Sequence, residues 1–173
     1  ARKPGQRLRV WSAGCSSGEE PYTIAVVLHR EIRDLASNDV RILATDIDTD
    51  VLTKAAQGEF AAAAMDEIPQ QYHSCFQSMN DGTKVLIDED VQSLLTFRRL
   101  NLMEDWPFRG LFDAIFCRNV MIYFDTPTKT KLVDRFKKQL KPDGWLYIGH
   151  SESLIGSHPG LELVGRTTYR RER

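Results

Sequence analysis

Arg9-Val-Trp-Ser-Ala-Gly-Cys-Ser-Ser-Gly-Glu-Glu-Pro-Tyr22 is the stretch whose reading decides the fold. The apolar run Leu8 to Trp11 predicts a buried strand. It breaks at Gly14 and Gly18, where a tight turn and close backbone approach call for residues without a Cβ. Ser16 and Ser17 each stand three residues ahead of a glutamate, Glu19 and Glu20, the spacing of a capping box. Pro21 suits a first helical turn, and Ile24, Val27, Leu28, Ile32 and Leu35 then recur at helical spacing. Strand, glycine turn and helix in this order predict the nucleotide-binding end of a doubly wound, Rossmann-like α/β sheet.

The charges at the turn select the ligand. A dinucleotide fingerprint would read Gly-x-Gly-x-x-Gly, with a pyrophosphate against the helix N-terminus. This chain has Gly14-Cys-Ser-Ser-Gly18 instead, and Glu19 and Glu20 stand where they would repel phosphate. S-adenosylmethionine carries no phosphate, and its ammonium and sulfonium suit a carboxylate. It is therefore the expected cofactor, the plainer alternative being that the two glutamates only cap the helix.

At 173 residues and 42% hydrophobic, residues 1–173 are expected to form one domain. The net charge of −1 argues against a nucleic-acid partner, which would need a basic stripe. No apolar run approaches the ~20 residues of a membrane span, so direct membrane insertion is not expected. Cys15, Cys75 and Cys117 are odd in number and lack Cys-x-x-Cys spacing, which predicts neither disulfides nor a metal site and fits a reducing cytoplasm. The chain opens on Ala1, with a polar lead-in to Gln6, and its first core strand begins at Leu8; an excised domain or processed fragment is expected.

Further along, Ser37-Asn38-Asp39 predicts a turn into a second buried strand, Val40 to Ile47. An acidic residue at the carboxyl end of that strand can accept hydrogen bonds from ribose hydroxyls. Asp46 is the candidate, with capping as its alternative, while Asp48 is expected to cap a helix from Asp50 to Gln57 that Gly58 stops. Ala61 to Gln77 reads as loop and helix, with Pro69 at a helix start. Asn80-Asp81-Gly82 is a turn signal, and a small antiparallel β-subdomain is expected at about 80–97, between parallel elements. Phe112 to Cys117 predicts the fourth core strand. Asp125-Thr126-Pro127 opens a helix with Leu132, Val133, Phe136 and Leu140 inward, and Lys131, Lys137, Lys138 and Lys141 on a solvated face. Lys141-Pro142-Asp143-Gly144 is expected to turn into strand Trp145 to Gly149, and 161–164 with 168–171 to close the chain as a hairpin.

Ligands of open α/β sheets lie beyond the carboxyl ends of the strands. The chemistry-bearing residues there are Gly14 to Glu19, Asp46, Asn101-Leu102, Arg118 to Tyr123 and His150-Ser151-Glu152. Asn101 has the amide to read an adenine edge and Leu102 can pack on the ring, unless Asn101 is a plain turn residue. The Arg118 fork matches a carboxylate bidentately; an ion pair with Asp46 or Glu152 is the competing account. Tyr123 could equally be a core aromatic, and His150 a satisfied structural histidine.

Four motifs, Trp-Ser-Ala-Gly-Cys-Ser-Ser-Gly-Glu-Glu-Pro-Tyr, Ala-Thr-Asp-Ile-Asp, Phe-Cys-Arg-Asn-Val-Met-Ile-Tyr-Phe and Gly-His-Ser-Glu, occur in this order. Together they resemble the CheR-type chemotaxis-receptor glutamate methyltransferases from Leu8 to about Tyr169, most specifically over Arg118 to Phe124. The resemblance implies methyl transfer from S-adenosylmethionine to glutamates on the cytoplasmic helices of bacterial chemoreceptors, giving glutamyl methyl esters and S-adenosylhomocysteine. It implies cofactor contacts at Gly14, Glu19, Asp46, Asn101, Leu102, Arg118 and Asn119, with Arg118 and Tyr123 beside the methyl group. The family has a small β-subdomain where 80–97 is expected to form one. Members that bind a receptor's C-terminal pentapeptide resemble one another in a glycine-rich loop there. This chain has only Gly82 in that loop, which argues against such a tether. The family's helical N-terminal domain has no counterpart in the sequence. The competing readings are a cofactor-binding sensor or scaffold without catalysis, and a methyltransferase for RNA or a small molecule.

Overall fold

Side chains along Leu8–Ala13, strand β1, alternate between two cores, as the period of a strand requires. Leu8 and Val10 pack with Tyr22, Ala25 and Val26, whereas Trp11 and Ala13 pack with Leu132, Val133 and Phe136. A strand buried on both faces belongs to a sheet covered by helices on both sides. The computed structural model describes residues 7–32, 35, 38–79, 81–150, 152 and 159–173. The expected lead-in from Ala1 to Gln6, together with Ser37, Asn80 and Ser151, lies outside them.

After β1 come α1 (Glu19–Glu31), β2 (Val40–Asp46), α2 (Thr49–Gln57) and β3 (Glu59–Ala61). Two 3₁₀ turns (Ala62–Glu67 and Gln70–Cys75) lead to β4 (Phe76–Ser78), β5 (Lys84–Ile87), α3 (Glu89–Gln92) and β6 (Leu95–Arg99). β7 (Phe112–Cys117), a 3₁₀ turn (Met121–Tyr123), α4 (Thr126–Gln139), β8 (Leu140–Ile148), β9 (Leu161–Gly165) and β10 (Thr168–Arg171) complete the order. The main sheet has seven strands in the order β6-β2-β1-β7-β8-β10-β9. Its first five strands are parallel neighbours, and β10 and β9 close it as an antiparallel hairpin. This is the doubly wound Rossmann-like α/β sheet, and its strand order reverses between β1 and β7, where such sheets bind ligands.

Local chemistry explains several boundaries. Asp48 caps α2 by accepting from the backbone N–H groups of Asp50 and Val51, and Gly58 ends that helix at φ 66°. Asp125 caps α4 through the Thr128 N–H. The Trp11 indole, fully buried, donates to Thr45 Oγ1 at 2.9 Å and so joins β1 to β2 through side chains. Thr45→Val keeps the shape but leaves that indole N–H without its acceptor. It is expected to cost about 1–3 kcal/mol in chemical denaturation, and an unchanged midpoint would show the bond to be idle.

Three expectations need correction. The small antiparallel sheet, in the order β3-β5-β4, begins at Glu59 rather than near residue 80, and Leu95–Arg99 belongs wholly to the main sheet. β3 is only three residues long and follows α2 directly, so it carries little periodic signal. Lys141 to Gly144 is no turn ahead of a strand. It is a bulged part of β8, with Asp143 at φ 64° and a register shift against β7. Finally, two of the four lysines expected on a solvated face are tied down. Lys141 pairs with Asp113 at 2.8 Å, and Lys137 donates to the Pro159 carbonyl at 2.7 Å.

Candidate active site

The end of β1 is fixed by its neighbour. Gly14 and Cys15 both donate their backbone N–H to the Thr45 carbonyl, at 2.8 and 2.9 Å. Gly14 lies at φ 78°, and a Cβ there would come within 2.3 Å of Val120 Cγ2, so glycine is required for both conformation and space. The chain then turns through Ser16 at φ 49° and Gly18 at φ 101° into α1. The capping box does not form. Gly18 occupies the N-cap without a side-chain bond, and its left-handed backbone turns the serines away from the helix start. The Ser17 hydroxyl bonds the Glu19 carboxylate instead, at 2.8 and 3.0 Å.

Asp46, at the carboxyl end of β2, is a hub. One carboxylate oxygen accepts from Ser16 N at 2.9 Å and the other from Asp48 N at 3.1 Å. Each oxygen keeps a free lone-pair direction for a ligand hydroxyl. After β6, Asn101 forms a turn of its own, accepting from Met103 N at 2.9 Å and donating to Glu104 at 3.1 Å. Its turn role is thus realised, and one amide hydrogen remains free. The loop is braced by Arg135 of α4, whose guanidinium donates to the Leu102 and Glu104 carbonyls and lies 4.0 Å above the Trp106 ring. Arg135 carries no mark in the sequence beyond its place on a helix whose neighbours Leu132, Val133 and Phe136 point inward.

Beyond β7, Arg118 is ion-paired at 3.7 Å with Glu20, not with Asp46 or Glu152. Glu20 also accepts from the buried Ser12 hydroxyl at 2.7 Å. Burial raises the Glu20 carboxyl above the ordinary range. The Ser12 bond and then the Arg118 charge pull it back, while the Glu152 carboxylate adds to the rise. Burial, followed by the Asp46 carboxylate, pushes the Cys15 thiol up to about 12, so at neutral pH it is a thiol rather than a nucleophilic thiolate. Tyr123 is 79% exposed, which excludes the core-aromatic alternative.

These groups converge. A cleft of about 1000 Å³ at the carboxyl ends of the strands is lined by Gly14, Glu19, Asp46, Asn101, Leu102, Arg118, Asn119 and Tyr123, whereas His150 and Glu152, also put forward at the strand ends, are not among its lining residues. Glu20 lines it as well, as expected from the charges at the turn, and so do Ile47 and Met103, which were not foreseen there. Ile47 is 56% and Met103 46% exposed, so they offer a ring more apolar surface than Leu102, which is 8% exposed. The lining carries three carboxylates, Glu19, Glu20 and Asp46, against one guanidinium, Arg118. That balance suits a cationic ligand free of phosphate, and the volume accommodates a nucleoside-sized one. Among the described residues no group of His, Cys, Asp or Glu is placed to hold a metal ion, and no helix is long and apolar enough to cross a membrane.

Residues 1–170 match the family described as CheR methyltransferase, SAM binding domain. The chain belongs to the CheR methyltransferase family. It is 42% identical over 172 residues to the probable chemotaxis protein methyltransferase of Rhizobium etli, covering 97% of this chain and 64% of that protein. Against chemotaxis protein methyltransferase 2 of Pseudomonas aeruginosa it is 43% identical, covering 98% and 62%. Against the chemotaxis protein methyltransferase of Escherichia coli it is 40% identical, covering 98% and 60%. The chain thus spans about three fifths of the length of these relatives. Among solved structures, N-methyltransferase NodS of Bradyrhizobium japonicum superposes with a TM-score of 0.56 at 13% identity, over 98% of this chain and 88% of that one. DszA carbon methyltransferase superposes with a TM-score of 0.52 at 17% identity, over 85% and 29%. At such identities the likeness is one of fold.

Proposed function

We propose that the chain binds S-adenosylmethionine in this cleft and serves the methyl esterification of glutamate carboxylates on chemoreceptors in the cytoplasm. The observation that carries the reading is the meeting of two sets of groups in one cleft. A carboxylate set, Asp46 with Glu19 and Glu20, lies at the end of β2 and beyond β1; Arg118 and Tyr123 lie beyond β7, with Arg118 in ion-pair contact with Glu20. The family membership supports the same reading.

Asp46 would hold the ribose hydroxyls, Ile47, Met103 and Leu102 would flank the adenine, and Glu19 would face the ammonium. When bound, S-adenosylmethionine supplies a sulfonium methyl open to attack by a carboxylate. A glutamate side chain, with a reference pKa of about 4.3, is already ionised near neutrality. The protein therefore needs no general base. Arg118 orients the incoming carboxylate and Tyr123 offers its hydroxyl at the cleft mouth. Rate enhancement then comes mainly from alignment and exclusion of water. Full-strength pairing with Arg118 would blunt the nucleophile, and Glu20, already in contact with the guanidinium, moderates that pairing.

The test is methyl transfer from radiolabelled cofactor to a receptor cytoplasmic fragment, followed by treatment with alkali. Label released as methanol is the expected result, because a glutamyl methyl ester hydrolyses in base. Alkali-stable label, as from methylated nitrogen, would overturn the carboxylate assignment. Cofactor binding without transfer to any receptor fragment would favour a sensor domain.

A further inference from the structure

Glu152 is 3% exposed, and among the described residues no lysine or arginine pairs with it. Among the described residues, its carboxylate is met by main-chain donors alone. One oxygen accepts from Gly149 N at 2.7 Å and from Asn119 N at 2.9 Å, and the other accepts from Ile122 N at 3.1 Å. Placing a carboxylate in such a setting is costly unless several donors converge on it. Such a group is kept where it organises the backbone that supplies them.

The positions of those donors are informative. Asn119 N belongs to the peptide that follows Arg118, and Ile122 N to the residue that precedes Tyr123. The carboxylate therefore grips the segment Arg118–Tyr123 next to each of its two site residues, and ties both points to the end of β8. Asn119 sits at φ 59°, a left-handed conformation that asparagine adopts more readily than most non-glycine residues and that local constraints help to hold. The bond from Asn119 N to Glu152 is one such constraint.

The geometry points to Glu152 as a positioning residue. It sets Arg118 and Tyr123 in register with each other on the acceptor side of the cleft and touches no ligand itself. The kinetic consequence rests on the methyl-transfer reading, while the structural one does not. Glu152→Gln keeps the volume but turns an amide NH₂ toward backbone N–H groups, so one or both bonds to Asn119 and Ile122 are lost.

The first readout is amide hydrogen exchange followed by NMR on the intact protein. Exchange of at least one of the Asn119 and Ile122 amides is expected to quicken on the order of tenfold or more, with the amides of β1 and α4 unchanged. The second readout is turnover. E152Q is expected to lower kcat in the parent background but by less than about twofold when Arg118 is already alanine, since the two act as one unit. A residue that merely held the fold would lower both backgrounds by the same factor. Gly149→Ala is an independent probe, because a Cβ there would lie 2.5 Å from Glu152 Oε2 and 2.8 Å from Asn119 Oδ1 and must displace the same pair. It is expected to loosen the same two amides, which keeps the assignment testable if E152Q does not fold. Unchanged exchange at Asn119 and Ile122, or loosening spread evenly over the chain, would overturn the assignment. Failure of methyl transfer in the parent protein would sink the functional reading and leave the exchange result to decide the role of Glu152.

Discussion

Arg118→Ala is expected to lower receptor methylation on the order of 100-fold while changing cofactor affinity by less than about threefold. The guanidinium is 42% exposed, and its 3.7 Å contact with Glu20 is longer than a hydrogen bond. Its fork is thus free to swing toward a second carboxylate, that of the substrate. Loss of the side chain would leave Glu20 still bonded to Ser12 at 2.7 Å, so the wall of the cleft should survive the change. Arg118→Lys is the sharper variant, since it keeps the charge and removes the planar fork. If alignment matters more than charge, lysine will restore only a small part of the rate. Calorimetry with S-adenosylhomocysteine, run beside the transfer assay, separates the alternatives. Equal losses of binding and transfer would move Arg118 into the cofactor shell, and transfer at the parent rate would remove it from the site.

What could be read from the sequence follows the range of the interactions. The Asp48 cap, the Gly58 stop, the Asp125 cap and the closing hairpin are all local. Each depends on residues a few positions apart, and each forms where expected. The strand-end rule then placed Asp46, Asn101 and Arg118 in one cleft without knowledge of any long-range contact. Features fixed by partners distant in the chain were harder to see. The small sheet pairs Glu59–Ala61 with Lys84–Ile87, and a three-residue strand cannot announce a partner so far away. Arg135 reaches Leu102 and Glu104, and Glu152 reaches Asn119 and Ile122, across about thirty residues of chain. The capping box failed for a local reason. Gly18, with its freedom to take a left-handed backbone, displaced Ser16 and Ser17 from the cap, and spacing alone does not register that competition.

Asp46→Ala should weaken binding of S-adenosylmethionine and S-adenosylhomocysteine alike, by about 1.5–3 kcal/mol, the range for hydrogen bonds to a charged group. Both ligands carry the same ribose, so equal losses are part of the expectation. The carboxylate has a second task, because it also accepts from Ser16 N and Asp48 N and thereby holds the β1 turn against the end of β2. Alanine removes both functions at once. Asp46→Asn separates them: its side-chain oxygen can still accept from one of the two backbone donors, while the charge and one acceptor are gone. If ribose contact dominates, asparagine should lose most of the affinity at little cost in thermal stability. If the turn dominates, alanine and asparagine should lose affinity in proportion to their loss of stability. A cofactor lacking the ribose hydroxyls completes the cycle. The parent should bind it more weakly than the natural cofactor, whereas the Asp46→Ala protein should scarcely tell the two apart. Full discrimination retained by the alanine variant would show that the hydroxyls bind elsewhere in the cleft, and the assignment of Asp46 would fail.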